Sequence, residues 1–194
     1  MEQLFISLHG IKSLSPGLET WLRSKLKKAR FKKGDQILKE GQICRNIYFL
    51  ESGLIRVFQL VKENGDLREK TSWIQNEGEI FISVNSFFNQ APSLEYIEAL
   101  EDCIVWYITF EELEKACSLY PEFDRHASVI KSQYYTIGYE RSQAWKKPNK
   151  ERYLYFLEKQ PWLLSRVSNE HVASYMGFSP TTFFTVRKEL AKGK

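Results

Sequence analysis

The sequence predicts an α+β chain: an N-terminal β-roll or jelly roll with flanking helices, a long helix suited to dimerisation, and a small all-α helix-turn-helix domain. Three observations predict it. Gly34, Gly41, Gly53, Gly65 and Gly78 punctuate short runs rich in β-branched and aromatic residues, the texture of many short strands joined by turns. From Phe110 onward the apolar residues recur at helical spacing. Near the C-terminus, ASYMGFSPTTFFTVRKEL (Ala173 to Leu190) reads as two short helices around a single glycine.

The first predicted helix runs from Ser15 to about Ala29. Ser15 suits the cap and Pro16 the first helical position. Leu18, Trp21, Leu22, Leu26 and Ala29 form its apolar face. Strands follow. NIYFLESGLIRVFQLV is two β-like runs broken at Glu51-Ser52-Gly53, and Asn64-Gly65 stands between RVFQLV and REKTSWI. Asn-Gly is a strong hairpin signal, because both residues tolerate positive φ. LEYIEAL and CIVWYITF supply two further strands. FEELEKACSLY is then a short helix, and a longer one runs from about Pro121 to Trp145, with Pro148 beyond its end. Phe123, Ile130, Ile137 and Ala144 recur every seven residues, flanked by Tyr134, so the helix can pair with a second copy of itself. KKPNKERY is a hinge, and three helices complete the chain at Asn149–Gln160, Ser168–Met176 and Ser179–Leu190. The expected division is a β-roll over residues 1–120, a dimerisation helix and hinge over 121–147, and a helix-turn-helix domain over 148–194.

Composition bounds the function. Of the 194 residues, 43% are hydrophobic and 27% charged, which suits a globular chain. The N-terminus lacks the basic start and apolar run of a signal peptide. No stretch reaches the roughly 20 apolar residues of a membrane span, so a cytoplasmic protein with no membrane partner is expected. The three cysteines and three histidines are scattered, without zinc or iron–sulfur spacing. No nucleophile–base pair stands out, so an enzyme is not expected. Net charge is +4, but residues 146–194 hold ten Lys/Arg against four Asp/Glu, a local +6 that leaves −2 for the remainder. A basic end on a near-neutral body points to a polyanion. A second basic run, RSKLKKARFKKG, is read as a solvated face.

The helix-turn-helix slots are filled together. Ala173 is small where the helices cross, Gly177 accepts a left-handed conformation, and Val172, Met176, Phe178, Phe183 and Val186 make the small core. Ser179 caps the second helix and Pro180 lies in its first turn. In double-stranded DNA that helix would enter the major groove with Ser179, Thr181, Thr182 and Thr185 at the base edges, and Arg187 and Lys188 at phosphates.

KKGDQILKEGQICRNIYFLESGLIRVFQ, IEALEDCIVWYITFEELEKACSLYPEF and the C-terminal helix-turn-helix together resemble the Crp/Fnr superfamily of transcription regulators, over nearly all of the chain. The resemblance implies a homodimer built on Phe123, Ile130, Tyr134, Ile137 and Ala144, two DNA-binding heads, an effector in the β-roll, and RNA polymerase as a further partner. The chain departs from the family at the effector pocket. Members that bind a cyclic nucleotide carry a Gly-Glu pair and an Arg followed by Ser or Thr. Here the matching positions hold Ile82-Ser83 and Ser93-Leu94, and Glu95 would repel a phosphate. Neither cAMP nor cGMP is expected, no cofactor is assigned, and another small-molecule effector is left open. Ser83, Asn85, Ser93 and Tyr96 are the polar candidates for that pocket. A purely helical head, without a β-hairpin wing, is expected. The competing reading is an adaptor that keeps the fold without binding DNA, using Phe183 and Phe184 for a protein partner.

Overall fold

The computed structural model describes residues 1–63 and 65–192. Asn64, half of the expected turn pair, lies outside them; Gly65 has the positive φ, 94°, that such a turn requires. The chain divides into two compact units. The first comprises Met1–Gln59 and Trp73–Ser132; the second comprises Leu60–Ser72 and the chain from Gln133 onward.

In the first unit, helices α1 (Glu2–Ile11) and α2 (Pro16–Lys25) precede strands β1 (Lys27–Phe31), β2 (Gln36–Leu38), β3 (Asn46–Ser52) and β4 (Ile55–Glu63). Then come β5 (Asp66–Gln75), β6 (Ile80–Phe81), α3 (Val84–Asn89), β7 (Tyr96–Ala99), β8 (Cys103–Thr109) and α4 (Phe110–Leu119). Helix α5 (Phe123–Trp145) begins in this unit and runs into the second. The strands form two four-stranded sheets, in the orders β1-β8-β3-β6 and β2-β7-β4-β5. This is the expected β-roll with flanking helices.

Strand alternation creates two cores. Leu50, Val105, Ile55, Val57 and Ile97 point into the roll, where Phe81 and Phe87 join them. The alternate residues Phe49 and Ile108 point the other way, against Leu4, Phe5 and Leu8 of α1, Leu18 and Leu22 of α2, Ala116 of α4 and Phe123 of α5. Helix α1 lies outside the elements expected from the sequence. It is held to the sheet by three side chains at helical spacing.

The first predicted helix ends earlier than its apolar periodicity suggested. Ser15 caps it, its hydroxyl accepting from the Leu18 amide at 3.3 Å, but the helix stops at Lys25. Residues 27–31 instead pair with β8, Lys27 opposite Tyr107 and Phe31 opposite Cys103. A ladder along a central strand satisfies more backbone than one further helical turn, so tertiary pairing overrides the periodicity. Helix α4 begins with a reciprocal capping box between Thr109 and Glu112. Gly53, between β3 and β4, adopts φ 102°; a Cβ there would lie 2.7 Å from both the Asp102 carbonyl oxygen and Cys103 Sγ.

In the basic run at residues 23–34, Arg23 pairs with Glu2 and Glu19, Lys27 with Glu112, Lys28 with Glu51 and Lys32 with Asp102. These pairs lie on the surface of the first unit.

The second unit contains the rest of α5, helices α6 (Asn149–Lys159), α7 (Leu163–Arg166), α8 (Asn169–Met176) and α9 (Pro180–Lys192), and the outer part of the β4–β5 hairpin. Phe156, Leu163, Val172, Met176 and Phe183 are almost fully buried and form its centre. Among the described residues no helix is long and apolar enough to cross a membrane.

Candidate nucleic-acid interface and effector region

The α8–α9 pair has the geometry its residues require. The Ser168 hydroxyl accepts from the His171 amide at the start of α8. Gly177 ends α8 in the left-handed region, at φ 69° and ψ 35°. Its amide donates to the Ser174 carbonyl at 3.0 Å and the Phe178 amide to that of Ala173 at 2.8 Å, so the last carbonyls of α8 are satisfied as the chain turns. The Ser179 hydroxyl then accepts from the Thr182 amide at 3.1 Å, capping α9. Ala173, Val172, Met176, Phe178, Phe183 and Val186 are all buried.

The expected reading residues stand on the outer side of α9. Ser179, Thr181 and Thr185 are exposed and Thr182 is half-buried. The Ser179 and Thr182 hydroxyls lie 2.8 Å apart, and the Thr185 hydroxyl donates to the Thr181 carbonyl at 3.0 Å. A hydroxyl that donates in this way still has acceptor lone pairs to offer, so Thr185 can accept a further hydrogen bond. Lys188 is exposed. Arg187 is half-exposed, and its guanidinium donates to the Asn169 side chain at 2.7 Å, tying α9 to α8.

Two residues that the sequence reading did not single out complete this surface. Asn149 and Lys150, at the start of α6, join Thr181, Thr182, Thr185 and Glu189 around a shallow hollow of about 260 Å³. Lys150 was counted in the basic C-terminal balance, but only the packing of α6 on α9 places it beside the threonines. Arg152 was also missed. It reaches the carbonyls of Met176 and Gly177 at 3.3 and 3.2 Å and that of Lys147 at 3.4 Å, and its guanidinium lies 4.8 Å from the centre of the Phe178 ring. A side chain from α6 thus braces the turn of the helix-turn-helix.

The outer hairpin belongs to the same unit. The Thr71 amide donates to the Ser174 hydroxyl at 2.9 Å, and that hydroxyl donates to the Glu69 carbonyl at 2.9 Å. The buried Arg141 donates to the Ser72 carbonyl, and its guanidinium lies 4.6 Å from the Tyr175 ring centre.

On α5, the seven-residue stripe is divided. Phe123 belongs to the core of the first unit and Ala144 is fully buried, so packing within the protomer removes both from a partner's reach. Ile130 and Tyr134 are half-buried and Ile137 is exposed.

In the β-roll, the four polar candidates are not brought together. Ser83 and Ser93 are buried with their hydroxyl oxygens 3.0 Å apart. Ser83 donates to the Glu95 carboxylate at 2.9 Å, and Ser93 donates to the Glu95 carbonyl while accepting from its amide. Asn85 is exposed and accepts from Asn89. Tyr96 stacks on Phe58, ring centres 5.0 Å apart, on the side of the sheet opposite to the inward Ile97 and Val57. Strand alternation sends Tyr96 away from the roll interior. The nearby Cys44 thiol is held above its ordinary pKa by burial. Among the described residues no group of three His, Cys, Asp or Glu is placed to hold a metal ion.

Residues 28–120 match the family model described as a cyclic nucleotide-binding domain. A search of curated proteins finds no match for this sequence. Among solved structures, FixK2 from Bradyrhizobium japonicum superposes with a TM-score of 0.75 at 17% identity, covering 87% of this chain and 85% of that one. A putative transcriptional regulator of the Crp/Fnr family from Eubacterium rectale gives 0.71 at 16% identity, over 93% and 85%. The chain has the Crp/Fnr fold. The c-di-GMP responsive global regulator CLP of Xanthomonas campestris shares that fold, with a TM-score of 0.69 and 20% identity over 92% of this chain and 93% of its own.

Proposed function

We propose that this chain is a dimeric, sequence-selective DNA-binding transcription regulator of the cytoplasm, without enzymatic activity. The observation that carries the reading is the outer face of α9. Its exposed threonines stand beside Asn149 and Lys150, on a helix pair whose turn is closed by Gly177 and braced by Arg152. Thr181, Thr182 and Thr185, with Ser179 at the cap, are the base readers, suited to thymine methyl groups and to base-edge donors. Lys150 and Lys188 are the phosphate contacts, which set register without reading sequence. Arg187 acts one step back, holding α9 on α8. The homodimer seam lies on the α5 residues that remain accessible, Ile130, Tyr134 and Ile137. A regulator of this kind works by admitting or excluding RNA polymerase at its promoter.

The β-roll does not take cAMP or cGMP in this reading. Ser83 already donates to the Glu95 carboxylate, and a cyclic phosphate arriving there would meet a like charge. CLP, of the same fold, is a c-di-GMP responsive regulator.

The test is a fluorescence-anisotropy titration with a duplex from the chain's own upstream region, against excess random competitor at two salt concentrations. Binding that survives competitor and is indifferent to cAMP is expected. The Thr181→Ala/Thr185→Ala double variant should lose preference over competitor, whereas Lys150→Ala should weaken all duplexes alike and lower the salt slope by about one. The adaptor reading draws on Phe184, a large apolar side chain 55% exposed on the same helix. It would prevail if the double threonine variant left binding unchanged and indifferent to sequence.

A further inference from the structure

A second region of the first unit has a shape that the proposed DNA reading does not use. On the face of the β1-β8-β3-β6 sheet away from the roll interior there is a cavity of about 150 Å³. Its walls come from α1 and α2, from β3 and β8, from α4, and from the first turns of α5. Leu4, Leu8, Phe49, Ile108, Phe123 and Ile130 are representative. The pocket opens to solvent on one side, and well-packed proteins leave few apolar hollows of this size without an occupant. Water fits poorly, because a buried water needs two to four polar partners and these walls are hydrocarbon and aromatic. Apolar cavities of about this volume stay dry and take up molecules such as benzene.

Charge at the mouth narrows the class. The charged residues there are Glu114 and Lys131, both exposed and opposite in sign, and the Lys131 ammonium lies 5.0 Å from the centre of the Phe88 ring. No buried charge faces inward to select a carboxylate or an amine. We propose that this cavity is a binding site for one small uncharged apolar molecule, of the size of benzene or a short branched hydrocarbon. It is separate from the Ser83–Ser93 region: Phe49 and Ile108 face it, while their strand neighbours Leu50 and Val105 face the roll. Because α5 supplies Phe123, Ala127 and Ile130 to the wall, the occupant bears directly on the helix that leads into the second unit.

Four isoleucines line the cavity, Ile47, Ile80, Ile108 and Ile130, which makes it readable by methyl NMR on the full chain. Titration with benzene should give saturable shifts at these four δ1 methyl groups and leave Ile55 and Ile97, inside the roll, unmoved. Ala127→Phe, which fills the space from α5, should abolish the saturable shifts while Ile55 and Ile97 keep their positions. Cys117→Leu, filling it from α4, serves the same purpose if Ala127→Phe does not fold. Linear shifts spread over all isoleucines, or saturable shifts that persist in a folded filled variant, would overturn the site. Hexanoate binding as tightly as benzene would overturn the uncharged assignment. The binding readout needs no DNA, so its failure and the failure of the DNA reading are separate results.

Discussion

Glu79 and Glu51 show how two partly buried carboxylates can pull stability in opposite directions. Burial raises the Glu79 carboxyl to about 6, although Gln75 and the Asn76 backbone hydrogen-bond to it. Its proton is held more tightly in the folded chain than in the unfolded one, so its contribution is present below about pH 4.5 and is lost as pH rises to about 6. Glu79→Gln should therefore raise stability at pH 7 by about 1–2 kcal/mol and flatten the decline between those pH values, as urea melts at a series of pH values would show. Burial also disfavours the charged form of Glu51, but hydrogen bonds from the Met1 amino group, Trp106 and Lys28 outweigh it and hold its pKa at about 2. That contribution is present above about pH 4.5 and fades as pH falls toward 2. Gly53 is constrained by space as well as by φ, since backbone and sulfur both lie within 2.7 Å of an added Cβ. Gly53→Ala should cost at least about 2 kcal/mol, and a thermal melt would register it as a large drop in Tm.

At the scale of elements, the head depends on a brace that comes from outside its two signature helices. Arg152 reaches two carbonyls at the α8–α9 turn and that of Lys147 before α6, and removing it would leave those oxygens without that donor. Arg152→Ala should destabilise the second unit by about 1–3 kcal/mol. Arg152→Lys should recover little of this, because an ammonium cannot spread its donors as the guanidinium plane does. Chemical denaturation followed by near-UV circular dichroism would measure both. The α8–α9 pair itself was legible in the sequence because its rules are local: a cap, a small crossing residue, a left-handed glycine and an apolar period all fall within one short stretch. Residues whose role depends on another segment were not legible. Asn149 and Lys150 join the proposed DNA-facing surface only through packing of α6 on α9, and the bond from Arg187 to Asn169 links two different helices. The same division explains the first unit. Glycine spacing and β-branched runs announced the strands, whereas β1 looked helical because its partner β8 lies far along the chain. Phe123 and Ala144 fitted a seven-residue seam by spacing alone, yet each is buried within its own protomer.

For the molecule as a whole, the accessible part of α5 is the place where two copies should meet. Ile137→Asp should turn a dimer into a monomer in sedimentation velocity and, by separating the two heads, cost most of the preference for a two-fold site. Phe123→Ala should instead lower the stability of each protomer by about 3–5 kcal/mol through loss of its own core. The second unit also has an unusual parentage. Its hairpin residues, bonded through Ser174 and Arg141, precede its helices by some sixty positions and arrive from strands whose bases lie in the other unit. A head cut out as a single C-terminal piece from Gln133 would leave the Ser174 hydroxyl and the Arg141 guanidinium without the backbone groups they now hold. Anyone grafting this head onto another sensor must transplant two separate stretches of gene, and a protease nick near Gly65 would be felt in a helix-turn-helix more than a hundred positions downstream.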